Sequence, residues 1–331
     1  MKLPIGKLDN ELLKEKVFRH ITYQRPEVKQ RPGIGEDCAV VAYGEYDCIL
    51  STDPITGAIS EIGRLAINVT LNDIASNGVQ PLGIMLAVML PEGTTAEDVE
   101  RIMKQAGETA ASLQVEIIGG HTEITKAVSQ PVIVSTAIGR CLSGHNVHPD
   151  QIRAGDSIFI TRQAGQEGVG ILASDRPDKL ENLLTPEELQ QAKDMLLETS
   201  VLKEGLIAGE IGVSGMHDVT EGGILGAVWE VCEASGLGAE IHYDQIPISD
   251  LGMKVCNHLK IDILRLISSG CMLIVVSEEK SEKLQREIQQ EKIQITRIGK
   301  MTQNPGRYLV RDGQKQVIAP PESDELYRGL K

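Results

Sequence analysis

The spacing of apolar and polar residues predicts alternating strands and helices in the first half of the chain. Apolar side chains recur at helical intervals between Ile62 and Ala75, and Asn77-Gly78 supplies a stop signal before Pro81. Short runs rich in β-branched and other apolar residues are typical of strands. The pattern therefore predicts helices at 5–20, 62–75 and 95–113, and strands at 39–42, 47–51, 83–90, 115–118 and 131–140.

The second half starts after a polar, turn-forming segment, residues 142–156. We place a domain boundary near residue 150, which gives domains 1–150 and 151–331. Because hairpins are mixed with helices, the pattern favours an α+β fold with mixed sheets over a doubly wound parallel sheet. It predicts strands at 157–161, 239–242, 271–276 and 294–298, a glycine-rich turn at 165–170, helices within 178–212 and at 224–234 and 279–289, and a hairpin turning at 312–313.

The composition of the chain limits the classes of molecule that it is expected to bind. Among the 331 residues, 33 Lys and Arg stand against 47 Asp and Glu, a net charge of −14, and only 3% are aromatic. These values disfavour a nucleic-acid surface or an anionic membrane surface. The longest apolar run, Ile84 to Leu90, is too short to span a bilayer, and the first residues lack an apolar signal segment. We expect a cytoplasmic chain with six reduced cysteines.

Two acidic positions lie where strands are predicted to begin or end. Gly35 and Asp37 come directly before the strand at 39–42, and Asp53 ends the next strand just before Pro54. A carboxylate fixed at the end of a strand can face a cleft, and glycine lets a ligand approach the backbone closely. Ordinary acidic turns would give the same pattern.

A polar stripe interrupts the apolar helix at 62–75. Asn68 and Asn72 stand four residues apart, on one face, and Asp73 follows them. Buried polar groups need partners, so this stripe indicates either a ligand site or a closed structural network.

Two further motifs join glycine to polar side chains. In residues 119–123, a double glycine follows a predicted strand and precedes His, Thr and Glu; in residues 217–223, an Asp and two glycines lead into the helix at 224–234. Backbone amides in such turns suit phosphate, although a plain turn or a helix cap would look the same.

These motifs share one chemistry, because Mg²⁺ prefers oxygen ligands and usually binds through one or two carboxylates plus substrate phosphates. Dispersed Asp residues with glycine turns therefore predict a cleft for a metal-bound nucleotide. A Walker motif is absent from the sequence. The Gly168, Gly170 and Ala173 pattern is not followed by a strand that ends in an acid, as a dinucleotide site requires.

The order of the motifs resembles the aminoimidazole ribonucleotide (AIR) synthetase superfamily, and within it HypE and HypE-like proteins. The motifs are GEDCAVV (35–41), STD (51–53), GGHTE (119–123), HDVTEGG (217–223) and SSGCMLI (268–274). The resemblance implies an N-terminal α/β domain that forms a dimeric β-barrel, a C-terminal α+β domain, and ATP with Mg²⁺ in the cleft between them.

The resemblance also implies roles for residues. It makes Asp37, Asp53 and Asp73 magnesium ligands, and it leaves the catalytic group open between His121 and Asp218. His121 stands where several relatives have an acid, so Glu123 becomes a further metal candidate. The expected cofactor-binding set is Gly35, Asp37, Asp53, Asn72, Asp73, Gly119, Gly120, Thr122, Asp218, Gly222 and Gly223.

The implied reaction transfers the γ-phosphoryl group of ATP to an oxygen, often that of an amide or carboxamide, in a homodimer acting on a small molecule. HypE proteins end in a cysteine that carries the carbamoyl group, whereas the last cysteine here is Cys271, so the acceptor stays open. The alternatives are a thiamine-monophosphate-kinase-like enzyme and a nucleotide-binding scaffold without turnover. Because no motif lies in residues 323–331, we expect their removal to leave ATP binding intact.

Overall fold

The computed structural model describes residues 3, 5–321 and 323–331, which form two sheets with helices packed against them. The first sheet has the strand order β1-β2-β3-β6-β4-β5, with every neighbouring pair antiparallel except β4 and β5. It is open within the described residues, and β1 and β5 are its edges. Its strands are β1 (Val28–Gln30), β2 (Ala39–Tyr43), β3 (Tyr46–Ile55), β4 (Pro81–Leu90), β5 (Glu116–Ile124) and β6 (Val132–Leu142).

Two α-helices accompany this sheet, α2 (Ile62–Ser76) and α3 (Ala96–Ser112), and a single helical turn, α1 (Asn10–Leu12), precedes it in the sequence. Helix α2 packs against β3 and β6 on one side and against α3 on another, and almost all of its residues are buried. Helix α3 begins with a capping box in which Thr95 and Asp98 satisfy each other's backbone amides. Because α2 is almost fully enclosed by protein, its polar side chains pair with other protein groups rather than with water.

The second sheet has the order β13-β12-β9-β11-β7-β10-β8, antiparallel except between β9 and β12. Its strands are β7 (Ser157–Thr161), β8 (Gly215–Asp218), β9 (Gly238–His242), β10 (Met272–Val276), β11 (Ile295–Thr302), β12 (Arg307–Arg311) and β13 (Gln314–Val317). The accompanying helices are α4 (Gln166–Asp175), α5 (Pro186–Asp194), α6 (Leu202–Ile211), α7 (Gly223–Ser235), α8 (Asp250–Leu259), α9 (Glu278–Gln290) and α10 (Glu325–Leu330). The expected α+β class with mixed sheets is confirmed.

The two sheets meet along α2. Helix α6 packs against α2, and Gly205 and Gly209 lie so close to Ala75 and Gly78 that a Cβ on either glycine would clash with backbone. The first sheet draws on residues 28–142 and the second on 157–317. The division near residue 150 falls between them and stays a prediction. Among the described helices, none combines the length and apolar character required to cross a bilayer.

Two local predictions were wrong. The chain becomes helical only at Asn10 and passes through a π-helical turn into a 3₁₀ turn, because this stretch buries no residue and Gly6 has a φ of +117°. The glycines at 165–170 do not make an open turn: α4 begins at Gln166, and Leu266 and Leu196 pack where a Cβ of Gly168 or Gly170 would lie.

Candidate functional site

Acidic side chains from separate segments meet between α2 and the two sheets. Side chains alternate between the faces of a strand, so Ser51 and Asp53 of β3 lie on one face, the face that α2 covers. The Ser51 hydroxyl donates a hydrogen bond to the Asp73 carboxylate, and the carboxyl of Asp53 lies within hydrogen-bonding reach of that same group. β3 and α2 thus bring together two acids that are 20 residues apart in the sequence.

Asp37 and Asp218 reach the same place from other elements. Asp37 lies just before β2, and its Oδ2 accepts a hydrogen bond from Ser76 Oγ at 3.0 Å. Asp218 ends the buried strand β8, within hydrogen-bonding reach of Asp73. One ligand atom each from Asp37, His217 and Asp218 lies within 4.8 Å of the others.

We define the acidic cluster as Asp37, Asp53, Asp73 and Asp218. The electrostatics of this cluster favour a bound cation. Burial, then repulsion by the other carboxylates, raises the pKa of Asp73 and of Asp218 well above the usual range. Asp53 Oδ2 and Asp218 Oδ2 are buried and have no hydrogen-bond partner. Buried oxygens without partners, in a set of hard ligands, fit a divalent ion such as Mg²⁺.

His217 is better placed as a counter-ion than as a metal ligand. Its Nε2 lies 3.4 Å from Asp37 Oδ1 and 3.3 Å from Glu230 Oε2, and its Nδ1 lies 2.6 Å from the Asp218 carbonyl oxygen. Burial disfavours the charged ring, but Asp37 and Glu230 outweigh it and raise the pKa of His217 to about 10. A protonated imidazole donates at both nitrogens and offers a metal no lone pair.

Cys38 is the cysteine that touches the acidic cluster. Its Sγ donates to the Asp73 backbone oxygen at 3.2 Å, and burial followed by the charge of Asp73 raises the pKa of the thiol well above its usual value. Because the thiolate is the reactive form, this cysteine is unsuited to act as a nucleophile.

The structure does not bring residues 119–123 to the acidic cluster, and the turn predicted there is wrong. β5 continues through Gly119, Gly120 and Thr122 as an exposed edge strand, because the missing Cβ of Gly120 lets the backbone of Leu86 approach. His121 Nε2 lies 3.3 Å from Glu123 Oε2. β4 and β6 separate this strand from β3 and Asp53, so the structure gives Glu123 no place among the four acids.

The second glycine motif does lie beside the cluster, but its amides are occupied. The Gly222 N–H donates to Asp324 Oδ2 at 2.7 Å, and the Gly223 N–H donates to the Thr220 oxygen at 3.0 Å. Both glycines have positive φ, and α7 starts at Gly223. The amides expected to face phosphate therefore already have partners within the chain.

Gly35 and Asn72 have structural roles, in helix packing and in linking two segments. Gly35 has a φ of +76° and lies against the backbone of Glu230, where a Cβ would come within 2.6 Å of the oxygen. Asn72 is fully buried; its Oδ1 accepts from the Val201 N–H at 2.9 Å and its Nδ2 donates to the Thr199 oxygen at 2.8 Å. Asn72 therefore belongs to a structural network that ties α2 to the segment before α6.

Sequence reasoning gave no role to His217, Glu230, Lys7 or Asp324, all of which lie beside the site. His217 could have been noticed, because it stands directly before Asp218 in the motif. Glu230 carries no local signal, since it is one acid within an apolar helix and acquires its role only when α7 packs against Gly35.

Comparison with known proteins identifies the family. The AIR synthase related protein N-terminal domain matches residues 35–141, and the C-terminal domain matches residues 153–312. The chain belongs to the AIR synthase related protein family. It is 31% identical over 287 residues to the putative hydrogenase expression/formation protein MJ0676 of Methanocaldococcus jannaschii, covering 84% of this chain and 82% of that protein.

Two further relatives match over shorter or less similar stretches. The carbamoyl dehydratase HypE of Rhizobium leguminosarum bv. viciae is 31% identical over 225 residues, 66% of this chain and 61% of that protein. The selenide, water dikinase of Carboxydothermus hydrogenoformans is 26% identical over 309 residues, 83% of this chain and 86% of that protein.

Solved structures confirm the family fold. A HypE–HypF complex aligns with a TM-score of 0.79 at 23% identity, over 93% of this chain and 99% of that one. HypE in complex with ATP aligns with a TM-score of 0.75 at 22% identity, over 98% and 97%. At such identities the likeness shows the fold alone.

Proposed function

We propose that this chain is an ATP- and Mg²⁺-dependent enzyme that transfers the γ-phosphoryl group of ATP to an oxygen of an amide-like acceptor. The observation that carries the proposal is the convergence of four carboxylates from four segments, two of them with a buried oxygen that lacks a partner. The complex of ATP with HypE, whose fold this chain shares, supports the choice of nucleotide.

The residues that would hold Mg²⁺ are Asp53, Asp73 and Asp218, with Asp37 beside them. Asp37 differs from the others because the His217 imidazolium already balances its charge. A bound Mg²⁺ would supply charge neutralisation for the phosphoryl oxygens. Ser51 would keep the Asp73 carboxylate oriented, since its hydroxyl donates to that group.

In the proposed step, the bond between the γ-phosphorus and the β–γ bridging oxygen breaks, and a bond forms from the acceptor oxygen to phosphorus. ADP leaves with the bonding electron pair. The amide nitrogen of the acceptor loses one proton to solvent, and its oxygen, now phosphorylated, becomes a leaving group. Catalysis of this kind depends mainly on position and electrostatic stabilisation, so no protein nucleophile is required.

An acceptor outside this chain fits the thiols found here. Cys38 is held protonated and buried, and burial is also the leading cause of the raised pKa of the other five cysteines, of which Cys48 and Cys141 are only partly buried. The name of the curated relative, carbamoyl dehydratase, supports an amide-like group as the acceptor.

The test is a turnover panel that measures ADP release with Mg²⁺ and candidate acceptors: a carbamoylated thiol peptide, small carboxamides, thiamine monophosphate and selenide. We expect release above background with an amide-bearing acceptor. Release with thiamine monophosphate alone would replace the proposal with a small-molecule kinase. ATP binding without release from any acceptor would instead favour a nucleotide-binding scaffold.

We also propose a homodimer that forms through the first sheet. β5 is an edge strand, and apolar side chains on β4 and β5 are about half exposed: Leu82, Met85, Ile118 and Ile124. An exposed apolar edge strand is an aggregation hazard unless another chain covers it. A second copy presenting the same face would remove that hazard and continue the sheet.

A further inference from the structure

Two segments remote in sequence pack together beside the acidic cluster: residues 5–9 and residues 323–331. Ser323 Oγ donates to the Ile5 oxygen at 3.1 Å. Gly6 lies against the ring of Tyr327, where a Cβ would come within 3.1 Å of an aromatic carbon, and its φ of +117° suits glycine. We name this pair of segments the terminal clasp.

The first segment of the clasp places a cation at the end of a chain of alternating charges. Lys7 Nζ lies 3.5 Å from Glu230 Oε1, and Glu230 Oε2 lies 3.3 Å from His217 Nε2. That nitrogen is 3.4 Å from Asp37. Burial would raise the pKa of Glu230, but His217 and Lys7 outweigh it and lower that pKa. Ion pairs of 3.3 to 3.5 Å thus run from the surface to Asp37, although His217 Nε2 forms no hydrogen bond of good geometry within the described residues.

The second segment places a carboxylate among backbone amides. Asp324 is 3% exposed, and it accepts hydrogen bonds from the N–H groups of Gly222 at 2.7 Å, Ile267 at 3.2 Å and Leu326 at 2.8 Å. Gly222 belongs to the turn that joins Asp218 to α7. Asp324 therefore fixes the turn directly after one member of the acidic cluster.

We propose that the terminal clasp positions the candidate site from both sides, with Lys7 orienting Asp37 through Glu230 and His217, and Asp324 holding the turn after Asp218. Both are positioning residues, because neither belongs to the acidic cluster. Where nucleotide is concerned, this inference rests on the proposed function. It also replaces the expectation that residues 323–331 can be removed without effect.

The experiment compares Lys7→Met, Asp324→Asn and the double variant with the wild type. Lys104→Met and Asp312→Asn serve as matched controls, since both residues are exposed and lie outside the clasp. Calorimetry with Mg²⁺ and a non-hydrolysable ATP analogue should show affinity falling about ten-fold in each single variant. The double variant should lose clearly less than the product of the two, because Gly6 packs against Tyr327 and Ser323 bonds to Ile5, so loosening either segment loosens the other. The conservative variant Lys7→Arg should keep most of the affinity of the wild type.

Hydrogen exchange without nucleotide separates failure of the clasp from failure of the proposed function. Amides in residues 217–223 should exchange faster in both single variants, and melting temperature should show that each variant remains folded. If the wild type binds no nucleotide, the proposed function fails, while exchange still decides on the clasp. Unchanged exchange, strictly multiplicative losses, or a gain in affinity for Asp324→Asn would overturn the clasp.

Discussion

Residues 119–123 and residues 217–223 look alike in the sequence, since each joins two glycines to His, Thr and an acid. In the structure they differ in almost every respect. The first lies along an exposed edge strand, with its polar side chains directed to solvent. The second starts in a fully buried strand and leads into a helix beside three other acids.

The two regions differ in the elements that cover them. β8 is an edge strand like β5, but α2 and α7 cover it, so charges there are desolvated and act on one another strongly. Within one chain β5 has no such cover among the described residues, so water screens its charges in the monomer. Glycine and acid in sequence therefore do not make a site unless another element buries them.

The sharpest test of this contrast replaces acids in both regions. Asp53→Asn combined with Asp73→Asn should weaken binding of the Mg²⁺-bound nucleotide by at least about a thousand-fold, or about 4 kcal/mol, because it removes two of four converging carboxylates. Glu123→Gln should change it by less than about two-fold. Titration calorimetry in Mg²⁺ measures both. Equal losses in the two variants would contradict the contrast.

A second test concerns the effect of burial on a single acid near the second region. Glu167 is 4% exposed and accepts a hydrogen bond from the Ser269 N–H at 3.1 Å; burial, the largest cause, raises its pKa from 4.5 to about 7. The folded state keeps a proton that the unfolded state releases, so this group lowers the free energy of unfolding as pH rises from 4.5 to 7.

Glu167→Gln removes that charge and keeps an acceptor for Ser269. We expect the variant to be about 3 kcal/mol more stable than the wild type at pH 8, and nearly equal to it at pH 4. Urea unfolding at both pH values measures the difference. A Glu167→Gln gain that is the same at both pH values would show that charge is not its cause.

The third test asks what the exposed region is for. Ile118→Asp should raise the dimer dissociation constant by at least about ten-fold, or 1.4 kcal/mol, because it places a charge on the apolar edge strand. Light scattering over a concentration series measures this constant. Val317→Asp is the control, because Val317 is also an exposed apolar strand residue but lies in the second sheet. A wild type that stays monomeric at all concentrations would remove the dimer proposal.

The sequence predicts most elements whose periodicity is strong, such as α3, α9 and β7, because their apolar faces are unambiguous. It fails where tertiary contacts decide. β5 runs on through Gly119-Gly120 because β4 pairs with it, and α4 starts early because Leu266 and Leu196 fill the space that its glycines leave. Local propensity favours a turn at both places.

The residues of the candidate site also divide into those that a sequence pattern predicts and those that only tertiary contacts reveal. Asp37, Asp53, Asp73 and Asp218 could be selected because each stands at a strand end or within an apolar helix. Lys7, Glu230 and Asp324 could not, because their roles come from contacts between segments more than 90 residues apart. No spacing rule relates such segments.

Asn72 has a consequence for how molecules enter and leave. Its side-chain amide donates a hydrogen bond to the Thr199 oxygen and accepts one from the Val201 N–H. If the two halves separated along α2 without water entering, the amide, the carbonyl and the N–H would all lose their partners while still buried. Each stranded group would carry a penalty of about 1 to 3 kcal/mol. If the proposed activity holds, we therefore expect nucleotide to enter without separation of the two halves at Asn72.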